Sequence, residues 1–323
     1  MEIQHAINTK LERLDFLPPH VERKGEGGLR HQAHLKVSDG DESRNKRPLI
    51  TVLTVVFNGA KTLEQTILSV INQSYKNVEF IIIDGGSTDG TLDIICKYEH
   101  AIDYWVSEPD AGIYDAFNKA VTCASGDWIC FIGADDYLWD NNVLTNMAPS
   151  LLDAAPKYKL VYGSVAIVNA KQQLIYCVGE PWEIAKSKSS FTMPIPHQAL
   201  MYHRSWFEQY GLFDTSYRIS GDYENLLRGL PSESALFISN CVLTGMAQGG
   251  ISSSPESSIK LLKEMWRAQR AHGVLLPSFQ FSLVFMRVYI RLFLQSLLGE
   301  RNTYQLLDFG RKLCGKSAHW TKL

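Results

Sequence analysis

No CxxC pair, no repeat of fixed period and no excess of charge of one sign occurs in the 323 residues of this chain. Its six cysteines, Cys96, Cys123, Cys130, Cys177, Cys241 and Cys314, are scattered, several inside apolar runs. That excludes a zinc ribbon and a disulfide framework, and points to buried free thiols in a reducing cytoplasm. A formal net charge of −2 argues against nucleic acid as a partner. The first residues carry Glu2, Lys10, Glu12, Arg13 and Asp15 without an apolar core, so no secretory signal is expected. An uninterrupted spanning segment is missing too. The most apolar stretch, 279–298, contains Arg287 and Arg291, and a central arginine costs a spanning helix about 2.5–3.5 kcal/mol.

What is present is an ordinary globular composition, 45% hydrophobic, long enough for one sizeable domain with an appendage. Three regions are expected. Residues 1–47 form an N-terminal arm: Ile3, Ile7, Leu11, Leu14 and Leu17 recur at helical spacing up to Pro18-Pro19, and a polar, glycine-containing linker follows. Residues 48–255 alternate β-branched runs with helical patterns, and residues 256–323 are helical. Strands are expected at 49–56, 78–83, 103–106 and 128–132, with helices between them, which predicts a mostly parallel α/β sheet with right-handed crossovers. Beyond 136 the pattern predicts a hairpin of 160–168 with 173–178, a strand at 198–202, and helices at 204–210, 222–228 and 257–272.

The stretch Trp128 to Leu138 is the most informative. A buried strand runs out at Gly133-Ala134, and Asp135 and Asp136 follow. Ligands of parallel sheets collect beyond the carboxyl ends of the strands. Adjacent acids there repel unless a cation or paired donors hold them, and Mg²⁺ or Mn²⁺ carrying phosphates would do so. A helix N-cap is the structural alternative. Asp84-Gly85-Gly86 ends another strand in a turn that lets backbone approach a ligand, with Gly86 in its centre. Asp115 and Asn118, three apart, share a helical face.

Taken in order, these stretches resemble the family 2 glycosyltransferases, inverting nucleotide-sugar enzymes of the GT-A fold. The residues that carry the resemblance are Thr54 to Gly59, Asp84 to Thr91, Ser107 to Lys119, Gly126-Asp127, Ala134 to Asp136, Pro196 to Gln198, Gly221 to Tyr223 and Gly249 to Ser252. The motifs span about Leu49 to Ser254 and look closest to members that build bacterial surface polysaccharides, such as the colanic acid enzymes.

The resemblance implies a role for each matching residue. Asp84 accepts a hydrogen bond from the nucleobase, and Thr54, Phe57 and Asn58 line base and ribose. Asp115 and Asn118 face ribose and diphosphate. Asp135 and Asp136 match the metal site for Mg²⁺ or Mn²⁺, Asp135 also serving the donor, although Gly133 stands where many members have a third acid. Asp222, opening a helix after Ser220-Gly221, is the base that takes the acceptor proton. His197 and Gln248 fall on the acceptor side, and the glycines after Gln248 suit a hinge.

The expected activity is metal-dependent, inverting transfer of a sugar from a nucleotide diphosphate to a glycan or lipid-linked acceptor. The rival classes are a non-catalytic nucleotide-sugar-binding scaffold, which would need no Asp222, and a nucleotidyltransferase, for which Phe57-Asn58-Gly59-Ala60-Lys61 is a poor phosphate loop. In the tail, Arg287, Arg291 and Gln295 form one polar stripe, and Arg301, Arg311, Lys312, Lys316 and Lys322 follow. An in-plane helix on the inner face of the cytoplasmic membrane fits that pattern, and packing on the domain is the alternative.

Overall fold

Strands that are apolar on both sides need cover on both faces, and that requirement sets the architecture. The computed structural model of the chain describes residues 12–38, 47–155, 157–169, 171–247, 255–313 and 315. The strands are β1 (Gly25–Gly27), β2 (Ile50–Val56), β3 (Val78–Asp84), β4 (Tyr104–Ser107), β5 (Trp128–Gly133), β6 (Asp136–Leu138), β7 (Leu160–Val168), β8 (Leu174–Val178), β9 (Leu200–His203) and β10 (Ala235–Ala247). The helices are α1 (Leu63–Ile71), α2 (Thr91–Tyr98), α3 (Ile113–Cys123), α4 (Val143–Ala154), α5 (Trp182–Ser187), α6 (Arg204–Tyr210), α7 (Gly221–Gly229), α8 (Pro255–Ala271), α9 (Phe279–Leu298) and α10 (Glu300–Leu313).

Among the described residues, ten strands form one sheet in the order β1-β4-β3-β2-β5-β9-β7-β10-β6, with β8 paired to β7. Strands β4, β3, β2 and β5 are mutually parallel. Every residue of β2 is buried, because α1 and α2 cover one face and α3 the other. Leu63, Ile67, Val70 and Ile95 join the first hydrophobic cluster, with Val52 and Ile82. On the opposite face Tyr114, Phe117, Ala120 and Val121 of α3 pack with Leu53, Ile81 and Phe131. The sheet grows outward from β2 through β3 to β4, and α3 then carries the chain back to β5 on the other side of β2. That reversal is a topological switch point, beyond whose strand ends, here those of β2 and β5, open α/β sheets bind their ligands.

The expected hairpin of β7 and β8 is antiparallel as read, and α6, α7 and α8 fall where the sequence put them. The arm is corrected in its described part. Residues 12–18 form no helix, and Leu17 is buried in the core with its N–H donating to the Tyr104 hydroxyl at 3.0 Å. Residues 1–11, with Ile3, Ile7 and Leu11, lie outside the described residues. The region taken as a linker contains β1, antiparallel to β4, and Arg30, whose buried guanidinium pairs with Glu79 at 2.7 Å. The thiols divide: Cys123, Cys130 and Cys241 are buried, whereas Cys96 and Cys177 are exposed.

Candidate active site

The loops that follow the parallel strands meet at one edge of the sheet. Phe57, just past β2, is 66% exposed, and a side chain at Gly85 would meet its ring at 3.5 Å. Asn58 holds a left-handed φ of 53°, a conformation that asparagine tolerates and that collects at functional sites. Its N–H donates to the Ser87 hydroxyl at 2.7 Å, and its side-chain oxygen accepts from the Thr88 N–H at 2.9 Å. The loops after β2 and β3 are thus one hydrogen-bonded unit.

Asp84 ends β3 fully buried. It accepts from the Ser87 N–H at 3.0 Å and from the Ser87 and Ser107 hydroxyls. A buried carboxylate requires such donors. Gly86 has φ 82°, so the turn needs a glycine there. Asp110 packs against Gly85, leaving no room for a Cβ at that position, and burial raises its carboxyl above the usual range.

Past β5, the backbone at Gly133 is flanked by two carboxylates. A Cβ there would lie 2.8 Å from Asp136 Oδ2 and 2.9 Å from Asp135 Oδ1, so glycine is what lets both acids turn to one point. Asp135 is exposed and Asp136 buried. Asp136 Oδ2 accepts from the Gly133 N–H at a long 3.3 Å, and its Oδ1 is buried with no partner. Burial, with the neighbouring Asp135 charge, pushes Asp136 up to about 7. A buried acid with an unmatched oxygen beside a second acid fits a divalent cation. No group of three or more His, Cys, Asp or Glu side chains among the described residues could hold an ion. An ion here would therefore take these two carboxylates and complete its shell with water and phosphate oxygens, as Mg²⁺ commonly does.

Asp222 opens α7 half-buried. Its Oδ1 accepts from the Tyr114 hydroxyl at 3.1 Å and from the Tyr223 N–H at 2.9 Å. Tyr114 lies in the first turn of α3, directly after the strand-end loop of β4, which puts Asp222 on the same edge as the loops after the parallel strands. Burial drives the Tyr114 phenol well above its ordinary value, with the Asp222 charge adding to it. The phenol therefore stays a donor. His197 lies in an aromatic cage, stacked on Phe131 of β5 at 4.8 Å and edged by Phe117 and Phe213. Burial lowers its pKa while the Asp222 charge pulls the other way. Its Nδ1 meets the Tyr202 hydroxyl at 3.3 Å, and its buried Nε2 has no partner.

The sequence-predicted residues do not all reach this edge. Thr54 is fully buried inside β2, its hydroxyl unpartnered, two residues short of the strand's end at Val56. Asn118 binds the Phe213 backbone with both ends of its amide, at 2.8 and 2.9 Å, so it fastens α3 to the 213 loop. Asp115 accepts from the Ala111 N–H at 3.0 Å and lies 3.6 Å from Lys119. Gln248, with the glycines after it, lies outside the described residues. Tyr114, Asp110 and Arg218 were missed. Arg218 donates to the Ala111 carbonyl and fills the space beside Gly112. The signal for Tyr114 and Asp110 was at hand, since both lie inside the motif Ser107 to Lys119.

Comparison with known proteins agrees with this geometry. The model of "Glycosyl transferase family 2" matches residues 51–210. A PGL/p-HBAD biosynthesis glycosyltransferase of Mycobacterium bovis is 31% identical over 186 residues, covering 56% of this chain and 69% of that protein. An uncharacterised glycosyltransferase of Mycobacterium tuberculosis is 31% identical over 214 residues, covering 65% and 79%. Among solved structures, a mannosyltransferase of Pyrobaculum calidifontis in complex with GDP-Man and Mn²⁺ superposes with TM-score 0.58 at 17% identity, over 88% of this chain and 85% of that one. Residues 1–349 of S. aureus TarS with UDP-GlcNAc give TM-score 0.53 at 15% identity, over 80% and 75%. The match covers only 41% of a longer TarS chain. At these identities the structures establish the fold, which is GT-A.

Proposed function

This chain belongs to glycosyl transferase family 2, and from that membership we propose that it moves a sugar from a nucleotide diphosphate to a glycan or lipid-linked acceptor, with inversion and with Mg²⁺ or Mn²⁺. The observation that carries the reading is the shared edge. The carboxylates of Asp135 and Asp136 converge beside Gly133, one buried oxygen unmatched, and Asp222 is held over the first turn of α3.

In this reading Phe57 offers an exposed ring to the nucleobase, and the buried Asp84, fixed by Ser87 and Ser107, accepts a base N–H. Asp135 and Asp136 would hold the cation, which when bound offsets charge on the diphosphate. Tyr114 and the Tyr223 N–H occupy Asp222 Oδ1, leaving Oδ2 to accept the proton of the incoming hydroxyl. The acceptor oxygen forms the new bond to the anomeric carbon as the bond to phosphate breaks, and that electron pair leaves with the nucleotide diphosphate. Attack opposite the leaving group inverts the centre, and one base suffices.

Structural neighbours bound to UDP-GlcNAc and to GDP-Man and Mn²⁺ support a nucleotide-sugar donor and a divalent ion. A place in surface polysaccharide synthesis, of the colanic acid kind, belongs to the same proposal. So does peripheral attachment to the inner face of the cytoplasmic membrane. Helix α9 is long and apolar enough to cross a membrane by length and composition. One side of it packs on the domain, with Phe281 against Trp266 at 6.1 Å and Val284, Phe285 and Val288 beside them. The other side exposes Phe279, Met286, Ile290, Phe293 and Leu297, which favours lying in the interface over spanning it.

A thermal-shift screen of UDP- and GDP-linked sugars, with and without Mn²⁺, tests the donor reading. Binding to the folded state raises Tm by mass action. One nucleotide series should raise it in a Mn²⁺-dependent way; no shift with any of them at millimolar concentration would overturn the proposal.

A further inference from the structure

The family match begins at residue 51, yet the described segment ahead of it reaches the donor-side loops. Lys24 precedes β1, and its N–H donates to the Ser107 carbonyl at 2.7 Å. Its ammonium donates to the carbonyls of Gly86 and Ser87, at 2.7 and 3.0 Å. Those are the central residues of the turn that carries Asp84. Ser87 is where the turn is tied together, because its N–H and hydroxyl bind Asp84 and its hydroxyl also receives the Asn58 N–H. Gly86, at φ 82°, has no side chain to hold it, and the Lys24 ammonium is the group that binds its carbonyl.

The neighbouring Arg23 does the same for the next loop. Its guanidinium binds Glu108 at 2.8 Å, and Glu108 in turn binds Lys119 at 2.9 Å. Burial works against the Glu108 charge, but the bonds from Lys119 and Arg23 hold its carboxyl below the ordinary value. Arg30 anchors the whole segment in the core, binding Glu79, the Cys123 carbonyl and the Asp15 carbonyl, each at 2.7 Å. A buried anchor and two charged side chains on successive strand-end loops make a strap across the donor side of the sheet.

We propose that Lys24 is a positioning residue for the nucleotide: its ammonium fixes the Gly86-Ser87 turn, and through that turn sets Asp84 and Asn58 for the base. This rests on the donor reading above, which places the nucleobase at Asp84. The ammonium bonds carbonyls and not a carboxylate, so it sets backbone geometry without neutralising Asp84. Its loss is therefore expected in nucleotide affinity and not in overall stability, since an exposed lysine contributes little to folding.

The test is titration calorimetry of the full chain with UDP and with GDP in the presence of Mn²⁺, for wild type, Lys24→Met, Lys24→Arg and the control Lys97→Met. For whichever nucleotide binds, Lys24→Met should weaken it by about tenfold, the usual reach of one charge-assisted hydrogen bond. Lys24→Arg should recover part of that loss, Lys97→Met should match wild type, and Tm should stay within about 2 °C in all. In an Asp84→Asn background the Lys24→Met effect should largely vanish, because contacts acting through one group are not additive. Unchanged affinity in Lys24→Met, or a loss undiminished by Asp84→Asn, overturns the inference while leaving the donor reading intact. Failure of the wild-type chain to bind either nucleotide overturns the donor reading and the inference with it.

Discussion

Asp136 is the residue whose environment is least satisfied. Without a cation, its folded pKa of about 7 lies above the unfolded value of about 4. The folded state then holds its proton longer than the unfolded state, so this group's contribution declines as pH rises from about 4 to about 7 and is level above that. In EDTA, Asp136→Asn should therefore be more stable than wild type at pH 8, with the difference shrinking toward pH 4. Thermal melts across that range check it; a mutant less stable at pH 8 would show that the buried carboxylate has partners. Gly133→Ala makes a companion test. Its methyl would sit 2.8 Å from Asp136 Oδ2, so Mn²⁺-dependent stabilisation should be lost even though both acids remain.

At the scale of elements, the loops at the strand ends were largely legible in the sequence, and the physical reason is local. Strand β3 ends in Asp84-Gly85-Gly86 and β5 in Gly133-Ala134-Asp135-Asp136, so motif and geometry coincide within a few residues. What escaped reading depended on distant partners. Strand β10 carries Ser239 and Asn240 at a register shift between Phe237 and Val242, and that bulge breaks the alternation by which a strand is read. The segment 12–38 holds on through Arg23, Lys24 and Arg30, polar residues whose long-range partners lie 49 to 93 positions away. No periodicity reveals such pairings.

The same long-range pairs carry stability. Arg30→Met would leave Glu79 buried beside Thr51 and Ser125 without its cation, a change that costs about 3–5 kcal/mol. A drop of that size in urea unfolding is expected, and a loss below about 1 kcal/mol would mean the pair contributes little net. Glu224 of α7 joins Arg228 at 2.5 Å and His272, past α8, at 3.1 Å. Burial opposes its charge, yet these partners lower its pKa. A lowered carboxylate stabilises above its unfolded pKa and stops doing so as pH falls through the folded one. Glu224→Gln should thus lower Tm at pH 7, and the gap should close as pH drops below about 4.

Over the whole molecule, the apolar surface is concentrated at one end. Leu275 and Leu276 are 88% and 81% exposed ahead of α9, and Leu306, Phe309 and Leu313 of α10 add to the exposed side of that helix. Between 274 and 313 five basic residues (Arg287, Arg291, Arg301, Arg311, Lys312) stand against two acids (Glu300, Asp308). The excess suits anionic lipid, and would set like charges together if two copies of this end met. Sedimentation with phosphatidylglycerol vesicles should pellet the chain at low salt, less so at high salt, and less with Leu275→Ser and Leu276→Ser together. Equal binding to neutral vesicles, or none, would favour helices that serve packing alone.

The most direct measurement is the rate of nucleotide release from the donor sugar that stabilises the chain, compared between wild type and Asp222→Asn with donor affinity measured in parallel. The account predicts unchanged donor affinity and a rate at least about 100-fold lower, the usual contribution of a general base. A variant that binds the donor as well and turns it over at the wild-type rate would contradict it.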